Sequence, residues 1–179
     1  MLNNLKPRSR WNQLHHAVAA ACGVPGLWAE FGVASGKTAT KILEWMPTHC
    51  ELHLFDSFKG LPETWVWNDE TGESIPKGHF STSGIPPDLL DARVRYHVGL
   101  FEEVLPAWVA TVDSSMAFMH IDSDLYSSCV TVLTELEPLL QTGTVIQFDE
   151  VHGFPGYEKH EYRALMEFIE RTNWLYEGH

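Results

Sequence analysis

The chain has 179 residues, enough to bury one sizeable core and too few for two ordinary domains. Its 44% apolar and 20% charged residues exclude a disordered chain. Its 12 Lys and Arg against 24 Asp and Glu give a formal charge of -12. That balance argues against a nucleic-acid backbone or an anionic membrane surface as partner, and leaves room for metal ions, cationic cofactors or small molecules.

At the N-terminus, Lys6, Arg8 and Arg10 precede an alanine-rich stretch at 17–21. The pattern imitates a signal peptide, but the apolar stretch is too short and His15 and His16 interrupt its approach. Residues 1–25 therefore read as an N-terminal amphipathic helix. Strand-like and helix-like segments then alternate. Strands are expected at 27–33, 52–55, 94–98, 116–121 and 144–148, and helices at about 36–45, 101–110, 126–140 and 158–171. Residues 174–176 have the composition to open a sixth strand. Such alternation implies right-handed βαβ units, hence a doubly wound, mostly parallel sheet with helices on both faces. The run Thr144-Val145-Ile146 fits a strand buried on both faces. Residues 60–91, rich in Pro, Gly and Trp, break the rhythm. A segment this long reads as a lid or substrate loop, or as a passive insertion that covers the sheet.

Cys22, Cys50 and Cys129 are sparse and lack CxxC spacing, which suits reduced thiols in a cytosolic protein. No apolar run reaches the length of a membrane span. The expectation is one soluble cytoplasmic domain over residues 1–179.

Four segments carry chemistry. The first is Glu30-Phe31-Gly32-Val33-Ala34-Ser35-Gly36-Lys37-Thr38, between the first strand and its helix. Glycines at such a turn admit a close ligand, and the helix N-terminus offers free N–H groups. The segment is neither a P-loop, since the required first glycine falls on Phe31, nor a GxGxxG fingerprint, nor a GxSxG elbow. Its ExGxxxG pattern suits a neutral or cationic ligand better than a phosphate. A glycine turn for tight packing is the plain alternative.

The second is Asp56, ending the second strand about twenty residues beyond the glycine turn, where ribose hydroxyls are bound in doubly wound sheets. In the third, Met119-His120-Ile121-Asp122-Ser123-Asp124, Asp122 ends the fourth strand. Asp124 reads as a helix N-cap and His120 as a hydrogen-bonded core histidine. In the fourth, Asp149 and Glu150 end the fifth strand, beside the fourth. Asp122, Asp149 and Glu150 converging would repel unless a cation neutralised them, and oxygen ligands suit Mg2+ or Ca2+. Solvated strand ends and a helix cap are the alternative.

Taken together, Glu30-Phe31-Gly32-Val33, Phe55-Asp56-Ser57-Phe58-Lys59-Gly60-Leu61-Pro62-Glu63, Ile121-Asp122-Ser123-Asp124-Leu125-Tyr126-Ser127-Ser128 and Phe148-Asp149-Glu150 occur in order. With Lys77-Gly78-His79-Phe80 and the segment from Gly99 to Pro106, this set resembles class I S-adenosylmethionine-dependent methyltransferases, in particular the macrocin O-methyltransferase family. The resemblance covers about residues 26–170 and is more specific for fold and cofactor than for substrate.

It implies a Rossmann-like fold that here lacks the complete C-terminal β-hairpin. It implies S-adenosylmethionine as cofactor and a small-molecule acceptor, such as a sugar or natural product. The turn of Gly32, Val33, Ala34, Ser35 and Gly36 would hold the methionine part, with Glu30 orienting it. Asp56, with Ser57 and Phe58, would bind the ribose, and Gly99, Leu100 and Phe101 would lie near the adenine. Asp122, Asp149 and Glu150 match the metal positions of metal-dependent members, where Glu150 is usually Asp or Asn. Asp122 is the first candidate for the base and also borders the cofactor, and His152 is the second. Trp65, Trp67, Phe80 and Tyr126 would border the acceptor. Three further expectations stay open: a non-catalytic cofactor-binding module, a divalent-metal hydrolase, and a homodimer formed at an unpaired fifth-strand edge.

Overall fold

The computed structural model describes residues 10–68, 70–172 and 174–176. Residues 1–9 of the expected N-terminal helix and residues 177–179 lie outside the described residues. The helix is present from its tenth residue: α1 spans Arg10–Ala21 and buries Leu14, Ala17, Val18 and Ala21.

The alternation of the sequence becomes a five-stranded sheet. Its strands are β1 (Leu27–Phe31), β2 (Leu52–Asp56), β5 (Val94–Val98), β6 (Met116–Ile121) and β7 (Val145–Phe148). The order is β5-β2-β1-β6-β7, and every pairing is parallel. The crossovers carry α2 (Lys37–Trp45), α3 (Phe101–Val109) and α4 (Tyr126–Leu136), and α5 (Glu161–Thr172) follows β7. Among the described residues no helix is long and apolar enough to cross a membrane.

Two apolar cores flank the sheet. Ile42, Leu43, Trp28 and Phe118 pack with α1 and α2 on one face. Leu105, Val132, Leu136 and Phe168 pack with α3, α4 and α5 on the other. All six residues of β6 are buried, as expected of a central parallel strand covered on both faces. Each buried Leu, Ile or Phe contributes roughly 1.5–3 kcal/mol, so the centre of the sheet is the rigid frame of the molecule.

Four features depart from expectation. Pro138 has no N–H to donate, so the helix starting at Tyr126 tightens into a 3-10 turn at Glu137–Leu139. Gly156 adopts a left-handed conformation and starts a 3-10 turn at Tyr157–Lys159, which delays α5 to Glu161. β7 is an edge strand and only half-buried, which corrects the reading of residues 144–146 as covered on both faces. Residues 174–176 pair with nothing as a strand, and Trp174 packs against the core beside α5.

Residues 60–91 hold an unexpected antiparallel hairpin, β3 (Trp65–Asn68) and β4 (Glu73–Ile75). Leu61 and His79 bring the two ends of the segment together, with Leu61 N–H donating to the His79 carbonyl at 3.0 Å. Leu61 and Trp65 pack on Leu125, and Phe154 covers them, so the segment lies over the carboxyl ends of the sheet.

Candidate active site

The carboxyl ends of β1, β2 and β6 meet under this cover. Gly32 follows β1 with φ 87°, and its N–H donates to the Phe55 carbonyl at 3.0 Å. A Cβ there would stand 1.8 Å from the Asp122 carbonyl oxygen, so only glycine fits between the two strand ends. The turn then runs into Asp56. Its Oδ2 accepts the Val33 and Ala34 N–H groups, both at 2.8 Å, and its Oδ1 accepts the Phe58 N–H at 2.7 Å. Asp56 thus shapes the glycine turn before it meets any ligand.

These residues border a cleft of about 370 Å³. Of the cofactor candidates, Gly32, Val33, Ala34, Asp56, Ser57, Gly99, Leu100, Phe101 and Asp122 line it. Ser35, Gly36 and Phe58 do not: Gly36 is the left-handed N-cap of α2, and Phe58 is buried against Tyr96. Glu30 does not either. It is fully buried beside its strand partner His120, with Oε1 3.1 Å from His120 Nδ1. Burial pushes the Glu30 carboxyl up. Burial opposes charge on His120, yet the Glu30 hydrogen bond together with the charges of Glu30, Asp122 and Asp149 outweighs it and raises the imidazole above its ordinary value.

A cluster of acids fills one end of the cleft. The Asp122 N–H donates to the Phe31 carbonyl and the Asp149 N–H to the Ile121 carbonyl, both at 2.9 Å, so the parallel register sets the two side chains next to each other. Between them lies Arg10 of α1. Its Nη2 is 2.9 Å from Asp122 Oδ2, its Nε is 2.8 Å from Asp149 Oδ1, and Nη2 also donates to Thr38 Oγ1 at 3.3 Å. His120, Asp122 and Asp149 offer three donor atoms within 4.8 Å of one another. Glu150, expected as the third ligand, is adjacent but outside that group. Its Oε2 is buried and accepts no hydrogen bond among the described residues. Burial and the surrounding acids push its carboxyl up to about 7.

Two more acids complete the cluster. Asp124 has φ 58°, a strained conformation for a residue other than glycine, and lines the cleft. It does not cap α4, whose N-cap is Leu125 with no side-chain bond. Burial, then the neighbouring carboxylates, push it up to about 9. Glu161, at the start of α5, is fully buried. Its Oε1 accepts from the Ser123 N–H at 3.0 Å and from the Ser123 hydroxyl at 3.1 Å, and its Oε2 accepts from the Glu150 N–H at 3.4 Å. Burial holds it up at about 7.

The remaining candidates separate. Phe80 lines the cleft. His152 is exposed and lines a second cavity of about 250 Å³ with Gln13, Gln147 and Asp149, on the α1 side of the carboxylates. Trp65 is buried against Phe154 and His160, and Trp67 packs in the same cluster. The Tyr126 hydroxyl donates to Glu167 at 2.5 Å and its ring lies under Arg163, 4.4 Å from the centroid. The last three therefore hold the cover and α5 in place and do not border the cleft. Sequence reasoning missed Arg10 and Asp124 as site residues. Only Asp124 had a local signal, its place two residues beyond Asp122 at a strand end.

A parallel sheet of this order, with its glycine turn and acidic strand ends around one cleft, is the Rossmann-like methyltransferase fold. The chain belongs to the macrocin O-methyltransferase (TylF) family, whose sequence model matches residues 4–173. It is 34% identical over 85 residues to demethyldecarbamoylnovobiocin O-methyltransferase of Streptomyces niveus, a match covering 46% of this chain and 31% of that enzyme. The match thus spans about a third of the relative's length.

Among solved structures, the calicheamicin methyltransferase CalS11 aligns with a TM-score of 0.71 at 20% identity, over 89% of this chain and 71% of that one. The O-methyltransferase NovP aligns with a TM-score of 0.66 at 24% identity, over 94% and 74%. An O-methyltransferase from Bacillus cereus in complex with SAH aligns with a TM-score of 0.57 at 14% identity, over 97% and 72%. At these identities the likeness is one of fold.

Proposed function

We propose that the chain transfers a methyl group from S-adenosylmethionine to a hydroxyl of a small molecule. The carrying observation is the cleft in which the Asp56-held glycine turn faces the acids at the ends of β6 and β7, in a member of an O-methyltransferase family. Gly32, Val33 and Ala34 take the methionine end of the cofactor, where an acid-rich wall suits a sulfonium cation. Asp56 and Ser57 face the ribose, Asp56 through acceptor capacity left beyond its three backbone bonds. Gly99, Leu100 and Phe101 border the adenine.

The acceptor oxygen attacks the methyl carbon in line with the breaking C–S bond, and sulfur leaves with the bonding pair as a neutral thioether. The hydroxyl proton passes to a carboxylate. Asp124 is better placed for that role than Asp122, because Asp122 is engaged by Arg10 while Asp124 lines the cleft with no ion pair among the described residues, and its basic carboxylate form is populated as pH rises toward about 9. His152 lines the second cavity and not this cleft, so the proton is not routed to it. Phe80, Leu61 and Pro62 at the mouth of the cleft exclude water and orient the acceptor.

Two carboxylates, an imidazole and the unpartnered Glu150 oxygen form a donor set that fits a divalent ion, with oxygen donors favouring Mg2+. When bound, such an ion would be held by Asp122 and Asp149 with His120 or Glu150, and would lower the pKa of the acceptor hydroxyl.

The acceptor class we infer is a sugar carried on a natural product or a nucleotide. Support comes from relatives: one curated relative is named for demethyldecarbamoylnovobiocin, and CalS11 is described as a TDP-rhamnose 3′-O-methyltransferase. An assay of S-adenosylhomocysteine release across nucleotide sugars and glycosylated natural products tests the proposal. Turnover with a sugar hydroxyl is expected. Cofactor binding without turnover on any acceptor would leave a non-catalytic binding module in its place.

A further inference from the structure

Arg10 is the first described residue of α1, the helix that lies against β6 and β7. Its guanidinium reaches past the helix end into the acid cluster. It bridges Asp122 and Asp149, which come from two different strands, and donates to Thr38 on α2. A planar guanidinium matches two carboxylates in a way a point charge cannot. It also offsets the repulsion between Asp122 and Asp149, the work otherwise done by a bound cation. The two oxygens it contacts lie on two of the three side chains that present clustered donor atoms for a metal.

We propose that Arg10 is the built-in counter-cation of the Asp122–Asp149 pair, standing where a divalent ion would bind, so that a metal enters only when Arg10 leaves. The helix allows this. Leu14, Ala17, Val18 and Ala21 anchor α1 in the core, whereas the Arg10 side chain is 51% exposed and can swing outward with the helix intact. The metal affinity of the chain is then set by competition with its own arginine. The proposal does not depend on methyl transfer. It concerns cation occupancy of the carboxylates and has a readout separate from cofactor binding.

The test is Mn2+ binding, followed by electron paramagnetic resonance, in the wild-type chain, Arg10→Gln, Arg10→Lys and Arg10→Gln/Asp149→Asn. Arg10→Gln is expected to bind Mn2+ at least about tenfold tighter than wild type, because no charge-assisted pairs need to be broken. Arg10→Lys should fall between the two, since an ammonium holds one carboxylate less geometrically than a fork holds two. Adding Asp149→Asn should remove the gain. Equal or weaker binding in Arg10→Gln overturns the proposal, and weaker binding is what a merely structural arginine predicts. A gain that survives Asp149→Asn overturns it too, by placing the ion elsewhere. Thermal unfolding of each variant establishes that it is folded. Should Arg10→Gln fail to fold, Arg10→Lys carries the comparison: tighter binding than wild type supports the proposal and unchanged or weaker binding overturns it.

Discussion

Asp56 and Gly32 work as one device. The carboxylate takes three backbone N–H groups of the two loops that flank the cleft, and the missing Cβ lets β1 and β6 end side by side. Asp56→Asn replaces one acceptor oxygen by an NH2 group that faces N–H donors. It should cost about 1–3 kcal/mol in urea unfolding and weaken S-adenosylhomocysteine binding at least about tenfold. Asp124→Asn separates chemistry from stability. It should lower turnover about 100-fold in the acceptor assay, while raising the melting temperature at pH 8 in EDTA, because folding no longer has to protonate this carboxyl. A higher melting temperature with undiminished turnover would remove Asp124 from the mechanism. At this scale the sequence was informative where a residue type is demanded by backbone geometry, as at Gly32. It misled at Asp124, whose N-cap reading fails because α4 starts one residue later, with Leu125 as its N-cap and no side-chain bond. It was silent on Arg10, since no local pattern says which distant acids a helix-end arginine will meet.

The elements are tied together by buried polar groups whose titration has a definite sign. Glu161 joins the loops after β6 and β7 through Ser123 and Glu150. Its pKa is raised from 4.5 to about 7, so it binds more protons folded than unfolded. Its contribution is full below about 4.5, is lost as pH rises, and is gone above about 7. His97, stacked on Phe55 and paired with His53, has the opposite sign. Burial, then the neighbouring His53, lowers it from 6.5 to about 4, so its contribution is present above the unfolded value and is lost as pH falls toward 4. Between about pH 4.5 and 6.5 these two slopes nearly cancel, and the raised carboxyls of Asp124 and Glu150 act with Glu161, so melting temperature should fall along an alkaline limb as pH rises above about 5. Glu161→Gln should flatten the alkaline limb, and an unchanged limb would contradict the assignment. The strands and most helices were legible because buried parallel strands are continuous apolar runs. The hairpin at 65–75 was not, because its three-to-four-residue strands sit among Pro and Gly that read as loop. The late start of α5 depends on the left-handed Gly156, a conformation that local pattern does not reveal.

For the whole molecule, an alternation of strands and helices leads to one sheet order, and that order brings the ends of β1, β2, β6 and β7 to one cleft. The fold class, the edge of the sheet that carries the cleft and the convergence of Asp122 with Asp149 were all legible in the sequence, because parallel crossovers leave few alternatives. The place of His120 beside this pair was not: its side chain reaches the cluster from inside β6, while Glu150 stands beside it. Part of the -12 charge now has a location, since five acids cluster at one end of the cleft and Arg10 bridges two of them. The central claim is that this cleft binds the sulfonium cofactor. Isothermal titration of the folded chain with S-adenosylhomocysteine tests it most directly. Saturable one-to-one binding that Gly32→Ala abolishes is the predicted result. No binding at about 1 mM ligand by a chain with a native melting transition would contradict it.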